Sequence, residues 1–287
     1  MIRRDLIPLS RIYLAKRKSV PPNIHKKGIF MKYKIVFFDI DGTITHHKDG
    51  SISIKTKDAI KSLKSKGIKV VAATGRPLSM CKEIEEMGID TFITANGAYV
   101  KHKQRVIHKI TMDKRIVQEV VEFSQVENHA LSYYNEQFSM NGVIYEEVLL
   151  ALKETLSLDI YPTINPHICN EDVYLMCLFA TDDALAKYIH KFPHLTFKRW
   201  HPYVLNVLQE EVSKSLAISK VLSYFGIDKS EAIAFGDGEN DIDMLELVGL
   251  GIAMGNGNEK LKKVADFITK TSGEDGIEFA LKKYEII

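Results

Sequence analysis

From residue 32 onward, the chain alternates short apolar runs of β-forming residues with amphipathic stretches, and this alternation restricts the fold more than any other feature. Such a rhythm is typical of βαβ units, in which a helix returns the chain to the same end of the sheet. Residues 34–38, 68–73 and 232–235 form three of these runs. The pattern therefore predicts an α/β fold with a doubly wound parallel sheet.

The rhythm changes between residues 111 and 205. This third of the chain holds 13 of the 26 aromatic residues. We predict an α+β cap domain at 111–205, inserted into a Rossmann-like core made of residues 31–110 and 206–287. The aromatic residues either fill the interior of this small domain or line a substrate pocket, and the sequence leaves both interpretations open.

The first 30 residues differ in charge from the rest. They hold eight Lys or Arg against one Asp, whereas the other 257 residues hold 31 basic and 36 acidic side chains. We predict no nucleic-acid partner, since that acidic part has no basic stripe. We also predict no membrane partner, since no apolar run approaches the roughly 18 residues of a span. Residues 1–30 are expected to be a basic extension: a disordered arm, an organelle-type presequence, or sequence translated from a mis-assigned start. The last is favoured because Met31 stands immediately before the first predicted strand.

Three cysteines are too few and too scattered for a disulfide framework, and none of them forms a CxxC pair. Reduced thiols are the expected state, which predicts a cytoplasmic protein.

Two acids follow the first apolar strand directly, within Asp39–Thr43 (DIDGT). Residues two apart on a strand project to the same side, so Asp39 and Asp41 are expected to share one site. Ligands of open α/β sheets bind at the carboxyl ends of the strands. The whole string therefore favours a site, although an isolated Asp-x-Asp would indicate only two acids leaving a strand.

Two further segments place polar groups where helices are predicted to begin. Thr74-Gly75-Arg76 follows the second strand, and a hydroxyl with a free amide at a helix start favours an anion such as phosphate. A threonine helix cap is the alternative. Lys214 lies in a predicted first turn, where a cation is unfavourable unless an anion lies nearby. A solvated lysine is the alternative there.

The fourth segment, Gly236–Asp241, has the sequence GDGEND and directly follows an apolar strand. Two glycines around an acid cost conformational entropy, which indicates a loop shaped to hold something. A calcium-binding loop is excluded because Ile242 occupies the position of the required glycine and Val248 that of the closing glutamate.

Other polar residues receive purely structural interpretations. Asn96-Gly97 predicts the tight turn of a hairpin over 91–101, and Gly255–Asn258 is interpreted as a turn before a helix. Thr56 and Ser213 are predicted to cap helices that end at Gly67 and Gly226, and a helix is also predicted from Thr74 to Gly88.

In this order the four motifs resemble those of the haloacid dehalogenase-like hydrolases, and within them the Cof-like phosphatases with a large inserted cap. The resemblance covers residues 31–287. The interval between Thr74 and Lys214 leaves room for the cap, whereas one loop, one helix and one strand separate Asp41 from Thr74. The sequence departs from the family at Ser215, where glycine is frequent, and this departure concerns helix packing rather than chemistry.

The resemblance implies a phosphatase that hydrolyses small phosphorylated metabolites, such as sugar phosphates or phosphorylated cofactors, through an aspartyl-phosphate. Asp39 would be the nucleophile, and Asp41 would protonate the leaving group and then activate water. Mg²⁺ is the implied cofactor, with Asp39, Asp237 and the backbone carbonyl of Asp41 as its ligands. Asp241 would either orient Lys214 or lie next to the ligands of the metal without binding the metal itself. The implied phosphate-binding residues are Ile40, Thr74, Gly75, Lys214 and Asn240.

Other functions could use the same residues. A phosphotransferase or phosphomutase would share the intermediate but exclude water. A phospho-acceptor signalling domain also gathers aspartates, a threonine and a lysine around Mg²⁺, but such domains are much shorter, have no cap and do not need Asp41. A catalytically inactive phosphate-binding module is disfavoured because no residue of the implied active site is missing.

Overall fold

The structure is a computed structural model that describes residues 32–287. The prediction for residues 1–30 therefore lies outside the described residues. The described part contains two β-sheets with helices packed against them, which we call the core sheet and the cap sheet. Within the described range, no helix has both the length and the apolar character needed to cross a bilayer.

Short strands and short helices make up both sheets and the layers around them. The strands in chain order are β1 (Ile35–Phe38), β2 (Lys69–Ala73), β3 (Thr91–Thr94), β4 (Tyr99–His102), β5 (Arg105–Lys109), β6 (Ala130–Tyr134), β7 (Phe138–Met140), β8 (Leu175–Phe179), β9 (Thr196–His201), β10 (Val204–Leu208), β11 (Ala232–Gly236), β12 (Leu250–Ala253) and β13 (Phe267–Ile268). The helices are α1 (Ile54–Ser65), α2 (Lys82–Glu86), α3 (Lys114–Val126), α4 (Glu146–Leu156), α5 (Asp182–Lys191), α6 (Lys214–Phe225), α7 (Ile242–Leu247), α8 (Glu259–Val264) and α9 (Gly276–Lys283).

The core sheet has eight strands in the order β13-β12-β11-β1-β2-β3-β4-β5. The strands from β13 to β3 pair in parallel, and the predicted hairpin adds β4 antiparallel to β3, followed by β5. The chain runs outward from β1 to β5 and later returns to β11 on the other side of β1. This reversal makes the carboxyl ends of β1 and β11 the expected ligand site. The predicted doubly wound, Rossmann-like core is confirmed.

Strand β1 is apolar throughout because both of its faces are covered. Ile35 and Phe37 belong to one buried cluster with residues of α6, α7 and α8. Alternation along the strand turns Val36 and Phe38 to the opposite layer, where α1 packs beside β2 and α9. All four side chains are fully buried. A continuous apolar run is what a parallel strand between two helical layers requires.

The cap sheet has five antiparallel strands in the order β7-β6-β8-β10-β9. Helices α3 and α5 cover one face, where Tyr133, Tyr188 and Phe192 fill the interior. The opposite face, which we call the inner face, packs with α4 and with residues of the loop after β3. The sheet extends past residue 205 to Leu208. The inserted cap is consistent with the structure, whereas the limits of the predicted domains stay a prediction.

Two of the predicted helix starts are wrong. Ser53 rather than Thr56 caps α1, because the Ser53 hydroxyl accepts a hydrogen bond from the backbone amide of Thr56 at 3.1 Å. No helix begins at Thr74. Its hydroxyl accepts from the amide of Arg76 at 3.0 Å, and the carbonyl groups of both residues accept from the loop after β3. The segment is therefore an irregular turn that is hydrogen-bonded to the loop after β3. Helix α2 begins only at Lys82.

The predicted limits of α6 are confirmed. The Ser213 hydroxyl accepts from the amide of Leu216 at 3.2 Å, and Gly226 ends the helix in the left-handed region with φ 64°. This cap matters for the site because Lys214 is the next residue.

We expect Ser213→Ala to lower the free energy of unfolding by about 1 kcal/mol, because an orphan amide of the first turn loses its acceptor. Urea denaturation measures the change. Ser223→Ala, at an exposed serine of the same helix, is the matched control and should change stability by less than about 0.5 kcal/mol. Equal effects of the two substitutions would show that the cap is unimportant.

Candidate active site

The carboxyl ends of β1 and β11 bring two acidic segments together. Phe38 pairs with Phe235 in parallel register, so the two strands end at the same level and Asp39 and Asp237 follow them. One carboxylate oxygen from each of Asp39, Asp237 and Asp241 lies within 4.8 Å of the others. The sequence motifs at the two ends thus form one carboxylate cluster.

Lys214 joins two of these acids. Its ammonium donates to Oδ1 of Asp39 and to Oδ1 of Asp241, each at 2.6 Å. The lysine is only 1% exposed, and both acids are buried. The two carboxylates compensate a cation placed at the start of α6. The alternative of a solvated lysine is therefore wrong, and Asp241 orients Lys214.

Burial controls the protonation of this cluster. Burial raises the pKa of Asp39 well above its usual value; Lys214 opposes this shift, and Asp241 and Asp237 reinforce it. Burial also raises the pKa of Asp237 to about 6, with repulsion from Asp241 as the second cause. Burial alone would lower the pKa of Lys214, but Asp241 and Asp39 raise it above its usual value. Lys214 therefore remains a cation at neutral pH.

The donor set fits a divalent cation bound through oxygen. When its three carboxylates are ionised, the cluster has one ammonium and therefore excess negative charge, which a divalent cation would neutralise. Oδ2 of Asp241 already accepts from the amides of Asp237 and Gly238 at 3.0 Å each, and its Oδ1 binds Lys214. Asp39 and Asp237 are therefore the better side-chain ligands. Oxygen ligands alone suit Mg²⁺, Ca²⁺ or Mn²⁺.

Gly42 lets the first motif approach the fourth closely. Its φ is 81°, and a Cβ atom at this position would lie 2.2 Å from Oδ2 of Asp237. A larger residue would therefore be strained and would displace the carboxylate. The neighbouring Thr43 hydroxyl donates to Oδ1 of Asp237 at 3.2 Å. This turn fixes Asp237 relative to Asp39.

The Asp41 carboxylate lies outside the hydrogen-bonded cluster around Lys214. Its side chain is half exposed, and Nε of Arg76 donates to its two oxygens at 3.1 and 2.9 Å, with Nη2 as a further donor. Strand alternation does not govern Asp41 because the strand ends at Phe38 and the chain then makes an irregular turn over Ile40–Ile44, in which Gly42 has a φ of 81°. The sequence analysis gave Arg76 no role, yet this residue orients the predicted acid.

Three predicted phosphate-binding residues surround Asn96. Nδ2 of Asn240 donates to Oδ1 of Asn96 at 3.0 Å, and the amide of Asn96 donates to the carbonyl of Thr74 at 3.1 Å. A Cβ atom on Gly75 would lie 3.2 Å from the same Asn96 oxygen. Ala95 and Asn96 have φ of 50° and 54°, a conformation costly for residues with side chains. Asn96 therefore links the second motif to the fourth.

Ile40 and Lys214 complete the set of predicted phosphate-binding residues. Ile40 is fully buried, and its carbonyl accepts from the Thr45 hydroxyl at 3.0 Å. Its amide lies in the turn that follows Asp39. Phosphate binding by these residues stays a prediction.

Asn256 is a site residue that the sequence analysis missed. Its Nδ2 donates to the carbonyl of Gly42 at 2.9 Å and to Oδ2 of Asp237 at 3.2 Å, and its Oδ1 accepts from the amide of Ser272 at 2.8 Å. The predicted turn before a helix at Gly255–Asn258 is confirmed, with Asn258 capping α8, and the same turn also carries this site residue. Asn96 and Asn256 follow the carboxyl ends of β3 and β12, so the placement rule that revealed the acids also points to them.

Comparison with known proteins places these motifs in context. A family model described as haloacid dehalogenase-like hydrolase matches residues 36–281. The putative phosphatase YkrA of Bacillus subtilis is 34% identical over 90% of this chain and 100% of its own length. The 5-amino-6-(5-phospho-D-ribitylamino)uracil phosphatase YitU of the same organism is 29% identical over 87% of this chain and 97% of its own. The structure of the subclass IIB sugar phosphatase BT4131 is similar with a TM-score of 0.75 and 31% identity, covering 88% of this chain and 100% of that one.

We expect Lys214→Met to lower the free energy of unfolding by about 3 kcal/mol, because two buried carboxylates lose the ammonium that bonds both of them. Urea denaturation in the presence of a chelator measures this loss. Lys220→Met, at an exposed lysine of the same helix, is the matched control. Similar stability of both variants would contradict the buried ion pairs.

The pH dependence of stability tests the environment of Asp237. Its pKa is raised from 3.8 to about 6, so the folded chain binds this proton more tightly than the unfolded chain does. The contribution is therefore present at low pH and is lost as the pH rises through 6. In metal-free solution, we expect the stability of the wild type relative to Asp237→Asn to fall by about 1–3 kcal/mol between about pH 4 and 7.

Denaturation curves across this pH range measure the difference. Glu246→Gln, at an exposed acid of α7, controls for the removal of a surface charge. A difference between wild type and Asp237→Asn that does not change with pH would contradict the raised pKa.

Proposed function

The chain belongs to the haloacid dehalogenase-like hydrolase family and is a phosphatase of small phosphorylated substrates, and we propose that it acts through a phosphate ester formed on Asp39 with Mg²⁺ as its cofactor. Sugar phosphates or phosphorylated cofactors would be its substrates. One observation supports this proposal above all. A cluster of three acids and one lysine lies at the carboxyl ends of the central strands, with Asp39, Asp241 and Lys214 buried and Asp237 partly exposed.

Asp39 is the candidate nucleophile because Lys214 binds its Oδ1 and leaves Oδ2 available for attack on phosphorus. The attack forms a bond between Asp39 and phosphorus and breaks the bond to the leaving oxygen. Water then cleaves the aspartyl-phosphate and restores the carboxylate. Two displacements replace one difficult step, which is the usual gain of covalent catalysis.

Asp41 is the candidate acid and base. It would protonate the leaving oxygen in the first displacement and accept a proton from water in the second, and such help contributes about 10²–10⁴ in rate. Arg76 donates to both oxygens of this carboxylate, so Arg76 would set the position from which Asp41 exchanges the proton.

The phosphate oxygens would be held by groups already fixed in place. Lys214 supplies a cation next to Asp39, and Asn96 orients the amide of Asn240. The proposed phosphate-binding set comprises Lys214, Asn240, the Thr74 hydroxyl and the amides of Gly75 and Ile40. Preoriented donors need little reorganisation when negative charge develops on the transferred group.

Asp39, Asp237 and the backbone carbonyl of Asp41 would hold the cation, while Thr43 and Asn256 keep Asp237 in place. When bound, Mg²⁺ would offset the repulsion between carboxylates and phosphate, which amounts to about 4 kcal/mol per pair at about 4 Å and an effective dielectric near 20. The relatives, matched along nearly their whole length and named phosphatases, favour hydrolysis over a phospho-acceptor signalling domain. A cytoplasmic location stays a prediction.

We expect Asp39→Asn to reduce turnover of an aryl phosphate by at least about a thousandfold, because the amide cannot form the phosphate ester. Chelation of divalent cations should abolish wild-type turnover, and Mg²⁺ should restore it. Release of the aryl alcohol measures the rate, and Asp58→Asn, at an exposed acid of α1, is the control.

Retained turnover in Asp39→Asn would remove this residue as nucleophile. A stable phosphoprotein without turnover would favour a phospho-acceptor domain. Preferential transfer to an added sugar would favour a phosphotransferase or phosphomutase.

A further inference from the structure

The inner face of the cap sheet carries a row of polar residues across four strands. Ser132 pairs with Cys177, Cys177 with Asn206, and Asn206 with Lys198. Apolar residues flank this row on the same face and belong to the cluster that contains α4 and the loop after β3. Ser132 and Cys177 are buried, whereas Asn206 is only partly buried and Lys198 is exposed, so the row reaches the surface at β10 and β9.

Trp200 lies next to this row, two residues after Lys198 on β9. Its Nε1 donates to Oδ1 of Asn206 at 2.8 Å, so the polar edge of the indole is satisfied and its orientation is fixed. The side chain is nevertheless 47% exposed. An anchored and uncovered aromatic face provides a platform on which a flat ring can stack.

Tyr134 connects this surface to the candidate active site. It is buried in one cluster with Ala95, the neighbour of Asn96. Burial, Cys177 and the nearby Asp41 carboxylate raise the pKa of its hydroxyl. Cys177 in turn donates through Sγ to Oδ1 of Asn206 at 3.4 Å. A continuous series of side chains therefore leads from the predicted acid to the partner of Trp200.

We propose that Trp200 and Asn206 form a subsite that binds a ring in the leaving group of the substrate. The indole face would stack on the ring, and Nδ2 of Asn206 would donate to a ring oxygen, since its Oδ1 already accepts from Trp200 and Cys177. Lys198 adds a cation at the solvent side. The substrate class is a phosphate monoester with a sugar ring or a heteroaromatic ring, and this inference rests on the proposed function.

Trp200 is the single tryptophan of the chain, so its fluorescence reports directly on the subsite. Titration of the full-length Asp39→Asn protein separates binding from turnover. The probes are glucose 6-phosphate for a sugar ring, thiamine monophosphate for heteroaromatic rings without a sugar, and glycerol 3-phosphate and inorganic phosphate without a ring. We expect a saturable change in emission with at least one ring-bearing probe and a clearly smaller change with the two probes that lack a ring.

Kinetics of the active protein give the second readout. Trp200→Ala should raise KM for the ring-bearing substrate about tenfold or more with little change in kcat, and should leave glycerol 3-phosphate turnover within about twofold. Trp200→Phe keeps a flat ring and should recover most of the loss. Phe279→Ala removes an aromatic side chain of comparable exposure (40%) from α9 and is the matched control.

Unchanged emission with every ring-bearing probe would overturn the subsite, as would equal losses of Trp200→Ala on substrates with and without a ring. The relative size of the sugar and heteroaromatic responses identifies the ring. The proposed function fails separately if Asp39→Asn retains turnover, and a saturable Trp200 response in that case would still support the subsite.

Discussion

Lys214 is buried between the carboxylates of Asp39 and Asp241, and the geometry of the site depends on these two ion pairs. The lysine begins α6, Asp39 directly follows β1, and Asp241 lies in the loop after β11. One ammonium therefore holds a helix against the ends of two central strands. Removing such charges from water costs several kcal/mol per ion, and their mutual attraction offsets this cost only when the geometry of the ion pairs is good. A buried ion-pair cluster of this kind is therefore weak evidence for a stabilising role, which agrees with the catalytic role proposed for it.

The topology of the core sheet brings the acidic residues of the candidate site together. Reversal of the chain at β1 places Asp39 and Asp237 at adjacent strand ends, although they are far apart in the sequence. Gly42 allows the close approach of the two loops, and Asn96 and Asn256 connect them to the neighbouring strands β3 and β12. Loops that fix parts of the same site thus follow five neighbouring strands of the core sheet, in the spatial order β3, β2, β1, β11 and β12.

The sequence predicts the elements and the acids well because both depend on local patterns. Apolar runs and caps such as Ser213 identify the α/β core, and the string around Asp39 identifies the site. The contacts of Arg76, Asn96 and Asn256 are not predictable in the same way. They depend on how loops from separate strands meet, and an Asn-Gly pair looks the same in a turn and in a site. The direction of the Asp41 side chain was also not predictable from strand alternation, because the strand ends at Phe38 and an irregular turn follows Asp39.

Two chain crossings connect the core sheet to the cap sheet, and Lys214 lies close to one of them. The chain crosses to the cap sheet after β5 and returns from β10 shortly before Lys214, and the amide of Asp113 donates to Gln209 at 2.6 Å where the two crossings meet. A lysine so close to a crossing would follow any displacement of the cap sheet if nothing else held it. Bonds to both Asp39 and Asp241 fix Lys214 to the core sheet instead. The proposed phosphate-binding lysine is therefore held by the core sheet, whereas the proposed ring subsite at Trp200 belongs to the cap sheet.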